Sequence, residues 1–217
     1  MKLYGYWRSL AAFRVRIALN LKGIPFEVES MDLVKGDQFS DAYRKINPQM
    51  VVPTLVDGDS VLTQSMAILE YLDESHPEPP LLPADAAERA RVRAICMISV
   101  ADIHPLLVPR IRKYITQEMG HSEEELMAWI HNWMTTGLAA MEEKLAGDSA
   151  TGTYCHGDSV TLADLCLVPQ VGAAGMFSVD TGAYPTAKRI FEACLQLPAF
   201  FDARPQAQPD FPEEMKS

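Results

Sequence analysis

The chain has 217 residues and a formal net charge of −10, because 29 acidic side chains outnumber 19 basic ones. An acidic surface of this kind repels nucleic acid and anionic membranes, so we expect neither as a partner. Hydrophobic residues make up 48% of the chain, which is enough for a substantial core in one domain or in two small ones.

The chain begins with a short extended segment over residues 2–6, and a helix follows from Ser9 to Gly23. Ser9 suits the N-cap of this helix, and Gly23 suits the position just past its C-terminus. The helix is apolar on most of its surface, so we expect it to be buried. A hydroxyl beside the free N–H groups of a helix start can hold an anion such as a thiolate, and simple capping is the alternative role for Ser9.

Residues 26–31 alternate apolar and polar side chains, which is typical of a half-buried strand. Strand, helix and strand within about thirty residues indicate a parallel pair joined by a crossover helix. Residues 38–46 predict a short second helix, which ends at Asn47-Pro48.

Residues 51–63 predict a β-hairpin whose turn lies at Asp57-Gly58 and whose first strand begins near Pro53. A third helix starts directly afterwards, at Gln64-Ser65. The free N–H groups at such a start favour a bound carboxylate, and Ser65 can serve both as a cap and as part of that receptor.

Four prolines lie within residues 76–83, which therefore cannot continue a helix and are typical of a stiff linker. We accordingly predict an α/β domain over residues 1–76, a linker over 77–84 and an all-helical domain over 85–217. The periodicity predicts one long helix over 86–119, bent or interrupted at Pro105 and Pro109, and further helices over 123–145 and 185–195.

Thr161 and Asp164 have the spacing of a capping box at the start of another apolar helix. We assign Asp164 a structural role and no chemistry, although it is an acid in an apolar segment. The tail after Phe201 is rich in proline and glutamine, so we expect it to lie loosely on the surface.

The four cysteines, Cys96, Cys155, Cys166 and Cys194, lack the spacing of a metal site. We see neither a signal peptide nor a run of about 18 apolar residues. These features predict a cytoplasmic protein whose thiols are buried and reduced, and no bound metal.

The segment Tyr6-Trp7-Arg8-Ser9, followed by residues 13–23, resembles the start of zeta-class glutathione transferases. The resemblance recurs up to about residue 209, notably in the Gln-Ser-x-Ala-Ile pattern from Gln64 and in the helix that begins near Thr161. It implies an α/β plus all-α fold, in which a thioredoxin-like domain with a cis Pro53 precedes the helical transferase domain. It also implies a homodimer.

The resemblance implies that glutathione is the cofactor and that the hydroxyl of Ser9 is the catalytic group that stabilises its thiolate. By the same resemblance, backbone groups of Val52 pair with the cysteinyl part and Gln38 with the glycyl end. The residues implied to contact glutathione are Ser9, Leu10, Gln38, Val52, Gln64, Ser65 and His104.

The implied activity is glutathione-dependent cis–trans isomerisation of the maleylacetoacetate or maleylpyruvate type, in the catabolism of aromatic compounds. The small-molecule substrate is expected in a pocket between the two domains, where Arg110 can bind a carboxylate or can instead be a solvated helix charge. The residues expected to line this pocket are Leu10, Leu107, Val108, Arg110 and Met176.

Three departures from the family pattern make this pocket more apolar. Leu10 replaces a second serine, Leu107-Val108 replaces a pair of asparagines, and Met176 replaces an arginine. They favour an alternative in which a zeta-like transferase conjugates or dehalogenates a hydrophobic electrophile. A third hypothesis is a non-enzymatic binding protein on the same scaffold, although the retained Ser9 and Ser65 argue against it.

Overall fold

The computed structural model describes residues 1–215, which form two compact units. The first unit combines Met1–Pro80 with the described part of Leu195–Ser217, and the second is Leu81–Cys194. The first break, between Pro80 and Leu81, falls inside the predicted linker 77–84. The predicted range 85–217 differs from this division, because the last segment groups with the first unit.

A four-stranded sheet with strand order β2-β1-β3-β4 forms the centre of the first unit. β1 and β2 are parallel, which confirms the predicted crossover, and the other neighbours are antiparallel. The predicted hairpin is formed by the last two strands. The four strands are β1 (Lys2–Gly5), β2 (Glu27–Ser30), β3 (Thr54–Asp57) and β4 (Ser60–Thr63).

The predicted helices of the first unit are present, and a 3₁₀ turn precedes the second of them. Nearly all of the first helix is buried, as its apolar surface predicts. Gly23 follows it with φ of +62°, the left-handed conformation that glycine adopts without steric cost. The helices are α1 (Leu10–Leu21), α2 (Asp41–Ile46) and α3 (Ser65–Ser75), and the 3₁₀ turn is Asp37–Phe39.

The C-terminal segment packs on α1, so the prediction of a loosely attached tail is wrong. Arg16 Nε donates to the Ala203 carbonyl at 3.0 Å, and Asn20 Nδ2 donates to the Ala199 carbonyl at 3.1 Å. Polar side chains of a largely buried helix need such partners, and the returning chain supplies them. The apolar side chains that this segment buries include Phe200, Ala203 and Phe211.

The second unit is helical. Its first long helical stretch contains two π-helical turns, Ile98–Ile103 and Tyr114–Glu118. Between them the helix is interrupted where Val108 is extended (φ −67°, ψ 153°), directly before Pro109. The predicted interruption at Pro109 is therefore confirmed. From the start of this unit onwards the helices are α4 (Ala86–Met97), α5 (His104–Leu107), α6 (Pro109–Lys113), α7 (Glu123–Ala146), α8 (Leu162–Ala174), α9 (Pro185–Leu195) and α10 (Pro198–Phe201), the last in the first unit.

The helical stretch Ala86–Glu118 contains an 18-residue window that is long and apolar enough to cross a membrane. The stretch also carries charged side chains, among them Asp102 and Arg110, so it is apolar on average and is not a continuous apolar run. Core helices pass the same length and composition test, and this one buries Val92, Ile95 and Ile103. Only 28% of the window is buried, and Met97 is an exposed large apolar side chain in this stretch.

Asp164 joins the start of α8 to the preceding loop, as the capping-box spacing predicts. One of its carboxylate oxygens accepts from the Thr161 N–H at 2.8 Å and the Thr161 hydroxyl at 3.0 Å. The other accepts from the Cys155 N–H at 2.8 Å. Burial raises the pKa of Asp164, and these hydrogen bonds oppose that rise.

Candidate functional site

The sheet brings together all the site residues predicted in the first unit. β1, β2 and β4 end at one end of the sheet, and β3 begins there. We call this the ligand end of the sheet. The loops at this end carry Ser9 after β1, Gln38 after β2, Val52 before β3 and Gln64-Ser65 after β4.

Ser9 is the N-cap of α1, and its Oγ accepts from the Ala12 N–H at 3.2 Å. Because the oxygen acts as the acceptor in this bond, the hydroxyl hydrogen can still donate. Ser9 Oγ donates to no acceptor among residues 1–215. The capping role and the anion-binding role are therefore compatible in one half-buried side chain.

The turn before Ser9 is held from two sides. Arg16 Nη1 and Nη2 donate to the carbonyls of Tyr6 and Trp7 at 3.4 and 3.3 Å. The Trp7 N–H donates to Asp210 at 3.0 Å, and the Trp7 ring lies edge-on against Phe211 with the centroids 5.0 Å apart. Burial lowers the pKa of Arg16 to about 10, which leaves it a cation at neutral pH.

Ser65 is the first residue of α3, so its surrounding N–H groups are free of intrahelical partners. Arg14 Nη1 donates to Ser65 Oγ at 3.3 Å, and both residues are buried. A buried guanidinium next to a helix start strengthens that position as a receptor for a carboxylate. Gln64, with φ of +67°, is exposed and donates from Nε2 to Gln49 at 3.0 Å.

Val52 presents an unpaired stretch of backbone at the ligand end. Its N–H and C=O make no hydrogen bond within the described part of the chain. The Val52–Pro53 peptide is cis, as the resemblance implies. A free N–H next to a free C=O is the pattern that pairs with the peptide group of an extended ligand.

Gln38 lies in the 3₁₀ turn Asp37–Phe39 and is only 8% exposed. Its Nε2 donates to the Leu33 carbonyl at 3.5 Å, but its buried Oε1 has no hydrogen-bond partner among residues 1–215. An orphaned buried amide oxygen costs about 1–3 kcal/mol, which a donor on a bound ligand or a water recovers.

The residues predicted in the second unit follow one another around the interruption at Val108. His104 begins α5, Leu107 ends it and is buried, and Arg110 is exposed on α6. Met176 lies in a separate 3₁₀ turn, Gly175–Phe177, and is 49% exposed.

Phe177 brings the turn of Met176 close to α6. The guanidinium of Arg112 lies over the Phe177 ring at 5.9 Å, and His131 Nε2 lies 2.5 Å from the Phe177 carbonyl. Arg112 and Arg110 are both on α6, so the Met176 turn packs beside the helix that carries the predicted carboxylate-binding cation. Neither Arg112 nor His131 stands in a recognisable sequence motif, so neither was predicted from the sequence.

These two units are those of a glutathione transferase, with a thioredoxin-like unit followed by a helical one. Residues 1–74 match the family model for the glutathione S-transferase N-terminal domain, and residues 135–198 match the model for the C-terminal domain. The ligand end of the sheet lies within the first match.

Individual proteins that resemble this chain show which class of glutathione transferase it belongs to. A maleylpyruvate isomerase of Ralstonia is 48% identical over 97% of this chain and 99% of its own. The holo structure of a bacterial zeta-class maleylpyruvate isomerase superposes with a TM-score of 0.94 at 48% identity, covering 97% of this chain and 99% of that one. The structure of a maleylacetoacetate isomerase from Methylobacterium extorquens, solved with malonate and glutathione, superposes with a TM-score of 0.95 at 47% identity. That match covers 98% of this chain and 100% of the other. The chain belongs to the zeta-class glutathione transferase family, which includes these isomerases.

Proposed function

We propose that this protein is a glutathione-dependent cis–trans isomerase of maleylacetoacetate or maleylpyruvate type. The observation that carries the proposal is the hydroxyl of Ser9, which caps α1 through its oxygen and keeps its hydrogen available at the ligand end. The near full-length identity of 48% to a maleylpyruvate isomerase supports the reaction class.

The residues present fit glutathione. The Ser65 and Arg14 pair suits a carboxylate, the free backbone of Val52 suits a peptide group, and the orphaned oxygen of Gln38 suits an amide donor. We propose the remaining contacts, at Leu10, Gln64 and His104, on the family resemblance. The first unit is then the glutathione-binding unit, and the second supplies substrate contacts.

When bound, glutathione would supply a nucleophilic thiolate, the group whose reversible addition to a conjugated cis double bond permits rotation to the trans isomer. Free thiols are mostly protonated at neutral pH, since their pKa is about 8.5. Ser9 lowers that pKa by donating a hydrogen bond to the charged form, and the N-terminus of α1 adds its positive potential. The protein holds the thiol in its reactive state and is itself unchanged by the reaction.

A direct assay distinguishes isomerisation from the alternative, conjugation or dehalogenation of a hydrophobic electrophile. With maleylpyruvate or maleylacetone, we expect loss of the cis compound and appearance of the trans one only when glutathione is present. If a thioether or a dehalogenated product forms rapidly from electrophiles while the cis acids stay unchanged, the alternative is correct.

Met176 is the departure that should affect substrate choice most, because it is half-exposed beside α6. Met176→Arg adds a cation on the turn beside α6, where we expect it to give a diacid a second charge-assisted hydrogen bond. We expect the ratio of kcat/KM for maleylpyruvate to kcat/KM for a hydrophobic electrophile to rise about 10-fold. This corresponds to the lower end of the range of about 1.5–3 kcal/mol for a charge-assisted hydrogen bond, because the site is partly solvated.

Met119→Arg is the matched control, since it places the same charge at a methionine that is 57% exposed elsewhere in the second unit. It should leave the ratio unchanged. If the unmodified protein already prefers diacids and Met176→Arg lowers that preference, an apolar substrate pocket at Met176 is wrong.

We also propose a homodimer, on the family resemblance and on the low burial of the apolar window in the stretch Ala86–Glu118. Met97 in this stretch is 41% exposed, although it is a large apolar side chain. Light scattering at micromolar concentration should give about twice the chain mass of 24.1 kDa. The mass of a single chain under these conditions would exclude the dimer.

A cytoplasmic location and a role in the catabolism of aromatic compounds complete the proposal. The four cysteines are free and buried, which suits a reducing compartment. Burial raises the pKa of the Cys155 and Cys194 thiols, so these two groups are poor nucleophiles and leave the thiol chemistry to the cofactor.

A further inference from the structure

The carbonyl of Val51 accepts two strong hydrogen bonds from buried side chains. Tyr43 donates from its hydroxyl at 2.6 Å, and Asn47 donates from Nδ2 at 2.9 Å. This loop carbonyl is therefore held by side chains of α2 and of the residue that ends it. We call these two donors the Val51 clamp.

The clamp fixes the direction of the next N–H group. The Val51–Val52 peptide is trans, and a trans peptide is planar with its C=O and N–H on opposite sides. Because the Val51 carbonyl points at Tyr43 and Asn47, the Val52 N–H points away from them. That N–H is unpaired within the described part of the chain, and it lies at the ligand end of the sheet.

The two donors are themselves held in place. Both reach Thr54 Oγ1, at 2.9 Å from the Tyr43 hydroxyl and 3.0 Å from Asn47 Nδ2. Asn47 Oδ1 accepts from the Gln49 N–H at 3.0 Å, which fixes the orientation of its amide group. Tyr43, Asn47 and Thr54 are at most 2% exposed, so water does not compete for these bonds.

We propose that Tyr43 and Asn47 are positioning residues that orient the Val52 N–H toward a peptide carbonyl of glutathione. The proposal rests on the function proposed above. Neither residue touches the ligand. Their effect is on affinity, because a peptide plane fixed before binding avoids the entropy of ordering it at the moment of binding.

Tyr43→Phe and Asn47→Leu each remove one donor of the clamp, and the first keeps the aromatic ring that packs 5.5 Å from Tyr4. Calorimetry with reduced glutathione should show Kd raised about 3- to 10-fold in each variant, the loss of part of one hydrogen bond. Tyr71→Phe is the control, since its hydroxyl donates to Asp57 at 2.8 Å in the same unit but away from Val51.

The amide NMR resonance of Val52 distinguishes a positioning role of Tyr43 and Asn47 from a purely structural one. In the wild type, glutathione should shift the Val52 N–H signal downfield, and in Tyr43→Phe this shift should be smaller although the protein remains folded. The value of kcat at saturating glutathione should change less than about 2-fold, because the thiolate site at Ser9 is untouched.

The outcomes are distinct. Weaker glutathione binding with a reduced Val52 shift in the clamp variants, but not in Tyr71→Phe, supports the proposal. If the wild type binds glutathione and Tyr43→Phe binds it equally well with the same Val52 shift, the clamp proposal is overturned while the isomerase proposal stands. If the wild type fails to bind glutathione, both are overturned.

Discussion

Replacing Ser9 by alanine is expected to lower kcat/KM for isomerisation roughly 10- to 100-fold, the loss of one charge-assisted hydrogen bond of about 1.5–3 kcal/mol. The hydroxyl oxygen accepts from the Ala12 N–H, and its hydrogen is the group available to a thiolate. Without it, the charged sulfur loses a donor while the neutral thiol loses little, so the pKa of bound glutathione should rise.

The measurement for Ser9→Ala is the ultraviolet absorbance of the thiolate, titrated with pH in the presence of bound glutathione. The substitution also removes an N-cap, which costs about 1 kcal/mol of stability. Ser122→Ala is the matched control, because Ser122 caps α7 through the Glu125 N–H at 3.2 Å in the other unit. It should lower stability and leave the thiol pKa unchanged. An unshifted titration in Ser9→Ala would transfer the role to backbone N–H groups of α1.

Asp164→Ala is expected to lower the free energy of unfolding by about 3–5 kcal/mol, the largest effect on stability that we predict. The carboxylate accepts from two backbone N–H groups, those of Cys155 and Thr161, and from the Thr161 hydroxyl. Asp164 is fully buried, so its removal leaves these donors without acceptors and without water.

Urea unfolding measures this loss, and Asp158→Ala is the matched control. Asp158 also accepts from one N–H and one hydroxyl, both of Thr153, but on an exposed loop where water replaces it. Asp158→Ala should therefore lower the free energy of unfolding much less than Asp164→Ala does. Folded Asp164→Ala should retain its affinity for glutathione. Comparable losses for the two variants would show that burial does not determine the contribution of Asp164.

Local patterns predicted most of the elements of both units. Alternation over residues 26–31, the turn at Asp57-Gly58 and the capping pair Thr161 and Asp164 each depend on neighbours in the chain, and each is found as expected. The resemblance added the expected roles of the site residues, and the sheet topology explains why residues as distant as Ser9 and Ser65 lie at one end.

What the sequence did not reveal depends on contacts between distant segments. Arg16 stands in a motif, yet its partners are carbonyls of its own turn and of Ala203, which is 187 positions away. The C-terminal segment was therefore expected to be loose, although it completes the surface of α1. The Val51 clamp was missed for a similar reason, since Tyr43 and Asn47 are ordinary residues of a short helix and its end.

The central claim is that glutathione is used and returned, and counting turnovers per glutathione tests it most directly. The protein is incubated with maleylpyruvate or maleylacetone and with much less glutathione than substrate. The cis substrate, the trans product and the free thiol are followed by proton NMR. We expect many molecules of trans product for each glutathione, with the free thiol recovered in full at the end. Consumption of one glutathione per substrate, as a stable thioether, would contradict the claim.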